Sequence, residues 1–101
     1  MPNIKFSYLY RDSGNYKKFS SVIFSNPKDI ELSIVEALIE SKLILDLWFY
    51  ANEWKLPEIF TDMCDFRIDP TWHEFEYVEY TNDEPNAAVS LDELMEAIRK
   101  G

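Results

Sequence analysis

The first strand-like segment constrains the fold more than any other part of the chain. In residues 3–11 (NIKFSYLYR) apolar and polar side chains alternate, and a period of two is typical of a half-buried strand. The apolar face would carry Ile4, Phe6, Tyr8 and Tyr10. Residues 12–15 (DSGN) are typical of a turn, and residues 16–24 (YKKFSSVIF) predict a second strand. We therefore expect an antiparallel hairpin at the start of the chain.

Two helices are predicted from capping signals. Asn26 followed by Pro27 favours a helix start, because asparagine caps well and proline suits the first helical position. That helix would run for about 14 residues and end near Lys42. Near the C-terminus, Ser90 and Glu93 form a capping box. Apolar side chains at helical spacing follow this box: Leu91, Leu94, Met95 and Ile98.

The middle of the chain predicts two further strands joined by a loop. The apolar run 43–50 (LILDLWFY) could extend the helix or form a buried strand, and its aromatic side chains favour a strand at about residues 46–54. Residues 58–71 lack clear periodicity and predict mostly loop, with a short strand or turn as the alternative, whereas 72–80 (WHEFEYVEY) predict a strand. We predict one α+β domain over residues 1–101. Its small antiparallel sheet, in the order β-β-α-β-β-α, would have both helices packed on one face.

Charge excludes several classes of function. The net charge of −9 opposes direct binding to nucleic acid, which requires lysine and arginine. Eleven acidic residues and only two basic ones lie between Asp46 and Glu84, together with all three tryptophans. With one cysteine no internal disulfide can form, and no apolar run is long enough to span a membrane. We therefore expect a cytoplasmic protein.

Catalytic and metal sites find little support. Zinc requires three or four nitrogen or sulfur ligands, but the chain has a single histidine, His73, and a single cysteine, Cys64. Neither residue lies in a recognisable nucleophile motif. With only two glycines, a glycine-rich phosphate loop is excluded. We predict no catalytic residue, no metal and no cofactor.

The acidic, aromatic segment instead predicts a surface that binds a basic partner. Glu74 and Glu76 lie two residues apart on a strand, so both would project from one face about 7 Å apart. That spacing suits a row of lysine or arginine side chains and also approximates successive phosphates. The predicted contact residues are Trp54, Asp62, Asp65, Asp69, Trp72, Glu74, Glu76, Glu79 and Tyr80.

Three segments carry a family resemblance: IKFSYLYRDSGNYKKFSSVIFSNP, WKLPEIF and WHEFEYVE. With the chain's small size and acidity, they resemble immunity-type proteins of bacterial polymorphic and contact-dependent growth-inhibition toxin systems. The resemblance implies a cytosolic protein that binds and neutralises one cognate toxin domain, often a nuclease with a basic cleft. It carries over no functional residue, because immunity contacts differ from pair to pair.

Two alternatives stand beside that immunity hypothesis. An acidic nucleic-acid mimic of phage type would use phosphate-spaced carboxylates to inhibit a restriction or CRISPR effector. A small enzyme with a carboxylate site is the third hypothesis, and substituting Glu74 and Glu76 without loss of function would remove it.

Overall fold

The protein is built on one antiparallel sheet whose strands lie in the order β2-β1-β4-β3. The computed structural model describes residues 2–62 and 64–100. Within them the sheet strands are β1 Asn3–Arg11, β2 Lys17–Phe24, β3 Trp48–Phe49 and β4 His73–Thr81. The helices are α1 Leu32–Lys42 and α2 Leu91–Lys100. The predicted α+β class and the N-terminal hairpin are confirmed.

Both helices pack on the same face of the sheet. On β1, one of the two inner strands, Ile4, Phe6 and Tyr8 are fully buried and join the helix side chains in a single core cluster. Burial of each such side chain contributes about 2 kcal/mol. The predicted C-terminal helix is confirmed, since all four residues of its apolar stripe are buried, namely Leu91, Leu94, Met95 and Ile98.

The predicted start of α1 is wrong. Asn26 uses its side chain to bond both the N–H and the carbonyl oxygen of Ile30, each at 2.9 Å, and so closes a turn. Asp29 then takes a left-handed conformation (φ 49°) that a helix does not tolerate. The helix therefore begins at Leu32, and it buries Val35 and Ile39.

The predicted strand at 46–54 is much shorter than expected. Only Trp48 and Phe49 pair with β4. The chain reverses just before them, because Leu45 and Asp46 both adopt positive φ values (52° and 61°). A single 3-10 turn over Ala51–Trp54 follows β3. Residues 58–71, predicted to be a loop, contain no helix or strand within the part that the structure describes.

A β-bulge changes the predicted facing of β4. Tyr8 pairs with Phe75 and Ser7 pairs with Tyr77, which leaves Glu76 as an extra residue between them. From Glu76 onward, the side chains of β4 therefore alternate between the two faces of the sheet with a shift of one residue. Phe75 and Val78, three residues apart, both contribute to the core, whereas Tyr77 between them is exposed.

Candidate functional site

The predicted contact residues do not form one surface. Trp54 lies in the core with only 3% of its surface exposed, and its ring stacks on Phe49 at a centroid distance of 4.6 Å. A partner could reach this ring only by opening the core. Trp54 is therefore not a candidate contact residue.

Asp69 and Asp65 hold a loop in place. The carboxylate of Asp69 accepts bonds from the hydroxyl and N–H of Ser13 (2.5 and 2.8 Å) and from the N–H of Asp65 (2.7 Å). Asp65 in turn pairs with Arg67 at 2.8 Å. The Arg67 guanidinium lowers the pKa of Asp65, and the Ser13 hydroxyl lowers the pKa of Asp69. These acids tie residues 58–71 to the β1–β2 turn, while Asp62 is exposed.

Glu74 and Glu76 are not a matched pair. Glu74 is buried, and its carboxylate accepts a 2.7 Å bond from Nε of Arg11. Glu76 is the bulge residue and is exposed. The two carboxylates therefore differ in environment and in available charge. A nucleic-acid mimic would need both carboxylates exposed and uncompensated, and only Glu76 meets that condition.

Glu79 and Tyr80 lie at the far end of β4. Glu79 is half-buried opposite Lys5 of β1. The Tyr80 hydroxyl accepts a 2.8 Å bond from the N–H of Leu32, the first residue of α1. Tyr80 thus fixes where α1 begins.

The most exposed large apolar side chain among the described residues, that of Leu45, lies in a strained turn just before the predicted strand. Ile44 and Trp48 bond each other's backbones, with N–O distances of 2.7 and 3.0 Å, and the chain reverses through Leu45 and Asp46. A left-handed conformation costs a leucine about 1 kcal/mol. Leu45 is also 79% exposed, and Ile44 and Leu47 beside it are exposed as well.

Two tryptophans flank this turn. The rings of Trp48 and Trp72 pack with their centroids 5.4 Å apart, and together with Leu47 they line a shallow groove. Trp72 is exposed and Trp48 half-buried. Of the predicted aromatic anchors, Trp72 is therefore placed where a partner could contact it.

Three carboxylates lie on the other side of the turn. Glu40, Asp46 and Glu76 line a second cleft, whose apolar part comes from Leu43 and Phe75. All three acids are exposed, and among the described residues none of them forms an ion pair. Their charge is therefore available to a partner. We call this the turn surface and define it as Glu40, residues 43–48, Trp72, Phe75 and Glu76.

The sequence held a signal for part of the turn surface. The run LILDLWFY contains one acidic residue, Asp46, in an otherwise apolar stretch. Aspartate tolerates the left-handed region better than most residues, so it could have marked a turn. Leucine at positive φ has no such sequence signal.

His73 is a core residue. Its ring is fully buried among the rings of Tyr8, Tyr10, Phe49 and Phe60. Nε2 accepts a 3.0 Å bond from the N–H of Ile59, so this nitrogen is not free to take a proton from a nucleophile. Within the described residues Nδ1 has no hydrogen-bond partner. Burial lowers the pKa of His73 to about 4.

Tyrosine hydroxyls anchor the loop that covers this side of the core. Tyr8 donates to the carbonyl of Pro57 and Tyr10 to that of Pro70, both at 2.6 Å. The Tyr10 oxygen also lies 3.2 Å from Sγ of Cys64. Burial raises the pKa of Tyr8 to about 12 and that of Tyr10 further still. Both hydroxyls therefore stay protonated near neutral pH and remain donors.

Two further properties follow from the described residues. No three of their histidine, cysteine, aspartate or glutamate side chains are grouped to hold a metal ion. None of the helices they form has the length and apolar character that crossing a bilayer requires.

Comparison with known proteins gives no relative from which to transfer a function. No family model matches the chain, and neither a search of curated proteins nor one of solved structures returned a match. The turn surface is therefore the feature of this chain that bears on its function.

Proposed function

We propose that this protein is a cytoplasmic, non-catalytic immunity protein that binds a cognate bacterial toxin through the turn surface and neutralises it. The toxin would be a basic nuclease domain. One observation carries the proposal: a strained, exposed apolar turn lies between a tryptophan pair and three carboxylates that have no ion-pair partner in the described part of the chain.

The apolar residues of the turn supply the contact area. A soluble protein gains nothing from exposing several large apolar side chains together, and such patches mark interaction sites. Leu45 and Trp72 project where a partner can bury them. Aromatic side chains such as Trp72 commonly carry much of the binding energy at an interface.

The backbone strain supports the same proposal. Asparagine or glycine would occupy the position of Leu45 at lower cost, because both tolerate positive φ. A leucine there lowers the stability of the free protein. Strained conformations of this kind cluster at functional sites.

The carboxylates would give the partner its chemical character. Glu40, Asp46 and Glu76 present three negative charges around an apolar cleft. A nuclease holds the phosphates of its substrate with lysine and arginine, so the same basic side chains would meet these acids. Charge complementarity of this kind accelerates association and makes it sensitive to salt.

The decisive experiment uses the product of the adjacent gene as the partner. We expect the two proteins to co-purify and the nuclease activity of the partner to fall in proportion to the complex formed. Binding should weaken as salt increases. Failure to bind, or binding that leaves the toxin fully active, would contradict the proposal.

A matched pair of variants identifies the surface. Trp72→Ala removes an exposed ring of the turn surface, whereas Phe19→Ala removes an exposed ring from the outer side of β2. We expect only Trp72→Ala to weaken toxin binding, by at least about tenfold, which corresponds to about 1.4 kcal/mol. Equal effects of the two substitutions would show that the turn surface is not the contact.

A further inference from the structure

The outer edge of β4 is open over most of its length. β3 pairs with β4 only at His73 and Glu74, and one further bond runs from the N–H of Phe75 to the carbonyl of Leu47. Beyond that bond, residues 76–81 pair with β1 alone among the residues that the structure describes. A strand with one neighbour leaves a row of N–H and C=O groups pointing outward.

The strained turn is what keeps this edge open. A continued β3 would run antiparallel to β4, through the residues that precede Trp48. The positive φ values of Leu45 and Asp46 reverse the chain at that point instead. The space beside residues 76–81 is therefore left for another strand, which would lie about 4.8 Å from β4.

Helix α1 follows this open edge. Its first residue, Leu32, bonds Tyr80 at one end of β4, and Leu43, just after its last turn, lines a cleft with Phe75 near the other. A helix of 11 residues is about 16 Å long, and six strand residues span about 20 Å. The helix and the open edge are thus similar in length.

The edge is bordered by acids. Glu40 of α1 lines the cleft together with Glu76 and Asp46. Glu36 lies one helical turn before Glu40 and projects from the same face, because residues four apart are neighbours on a helix. Among the described residues these four carboxylates have no salt-bridge partner.

The charges beside the edge of β4 indicate what kind of strand could pair with it. A second copy of the chain pairing through the same edge would bring identical carboxylates together, which opposes self-association. We propose that the edge of β4 at residues 76–81 accepts an extended, lysine- or arginine-containing segment of the partner as an added strand. Backbone hydrogen bonds would supply affinity, and Glu36, Glu40, Asp46 and Glu76 would select basic side chains. The inference rests on the proposed function for the basic character of the partner.

The test uses two synthetic peptides and the isotope-labelled full chain. The first peptide is acetyl-Lys-Val-Lys-Thr-Lys-Val-Lys-amide, which favours an extended conformation. The second carries the same number of lysines with alanine in place of valine and threonine, which lowers its preference for an extended conformation. We expect the first to give saturable NMR shifts and slowed amide exchange at residues 76–81, and the second to bind at least about tenfold more weakly.

Two charge-matched triple variants test the acidic border. Glu36→Gln/Glu40→Gln/Glu76→Gln removes three charges beside the edge, whereas Glu53→Gln/Glu58→Gln/Asp62→Asn removes three exposed charges from the 3-10 turn and the loop that follows it. We expect only the first triple to weaken binding of the extended peptide, by about tenfold. Equal weakening by both triples, or shifts centred away from residues 76–81, would overturn the inference.

Failure of this inference can be separated from failure of the proposed function. A toxin that is bound and neutralised while the amides of residues 76–81 still exchange freely would overturn strand addition and leave the function in place. An adjacent gene product that does not bind would overturn the function, while the peptide titration would still decide whether the edge accepts a basic strand.

Discussion

Glu74 accepts a 2.7 Å hydrogen bond from Nε of Arg11, and a second, longer contact of 3.5 Å joins its other oxygen to Nη2. The ion pair joins β4 to the end of β1, where only 10% of the Glu74 side chain is exposed. A carboxylate that sequence reasoning assigned to partner binding therefore contributes to the sheet instead. Its neighbour Glu76, two residues away, remains exposed and unpaired within the described residues.

The first prediction separates these two glutamates. Glu74→Lys would place a second cation beside Arg11 in a nearly buried position, and we expect it to lower the free energy of unfolding by about 2 kcal/mol. Glu76→Lys lies at an exposed bulge and should change stability by less than about 0.5 kcal/mol. Urea denaturation of both variants measures the difference. If the two variants unfolded at the same midpoint urea concentration, the Arg11–Glu74 pair would not stabilise the sheet.

Glu76→Lys then provides the cleaner test of partner binding. We expect it to weaken toxin binding and to reduce the salt dependence of the association rate, because it reverses one charge of the turn surface. A double substitution with Glu74→Lys would mix loss of charge with loss of fold. Unchanged affinity of the folded single variant would show that Glu76 only solvates the surface.

Short-range patterns predicted much of the fold. The alternation of residues 3–11 and the Ser90–Glu93 box act within one strand or one helical turn, and both gave elements that the structure confirms. Positive φ values at Asp29 and at Leu45 and Asp46 make α1 and β3 begin later than predicted. Those conformations depend on tertiary packing, which overrides local propensity.

The sequence predicted less of the candidate site than of the fold. The pattern placed Trp72 and Glu76 among the contact residues, and both lie on the turn surface. It could not show that Asp69 bonds Ser13, 56 residues earlier in the chain, or that Trp54 stacks inside the core. A single extra residue at the bulge also changed which side chains share a face.

The second prediction concerns the loop that Asp69 holds. Asp69→Ala removes the acceptor of three hydrogen bonds, so residues 58–71 should exchange their amides faster and be cleaved sooner by a protease. Asp62→Ala is the matched control, because Asp62 is exposed and has no hydrogen bond in the described residues. Identical exchange in the two variants would show that Asp69 does not fix the loop.

The third prediction follows from the burial of His73. Its pKa is about 4 in the folded protein against an ordinary value of 6.5, so between these values the unfolded chain binds a proton that the folded protein does not. Stability should therefore fall as the pH drops from about 6.5 to about 4, by about 3 kcal/mol in total.

His73→Gln tests this assignment. Glutamine does not titrate and retains an oxygen that can accept the bond from the N–H of Ile59. We expect the variant to be less stable at pH 7, because it packs less well, but to lose little further stability down to pH 4.5. Urea denaturation at pH 7, 5.5 and 4.5 measures both proteins. A pH dependence as steep as that of the wild type would assign the effect to other groups.

The last prediction sets stability against binding at the strained turn. Leu45→Asn places at φ 52° a residue that tolerates the left-handed region, so the free energy of unfolding should rise by about 1 kcal/mol. The same substitution removes the most exposed apolar side chain of the turn surface, so toxin binding should weaken. Asp46→Asn is the control for stability, because aspartate and asparagine both tolerate the φ of 61° at position 46. We expect opposite signs for the two effects of Leu45→Asn if the leucine is retained for contact with a partner. A loss of stability would show that the leucine serves the fold, and an unchanged affinity would show that it does not contact the partner.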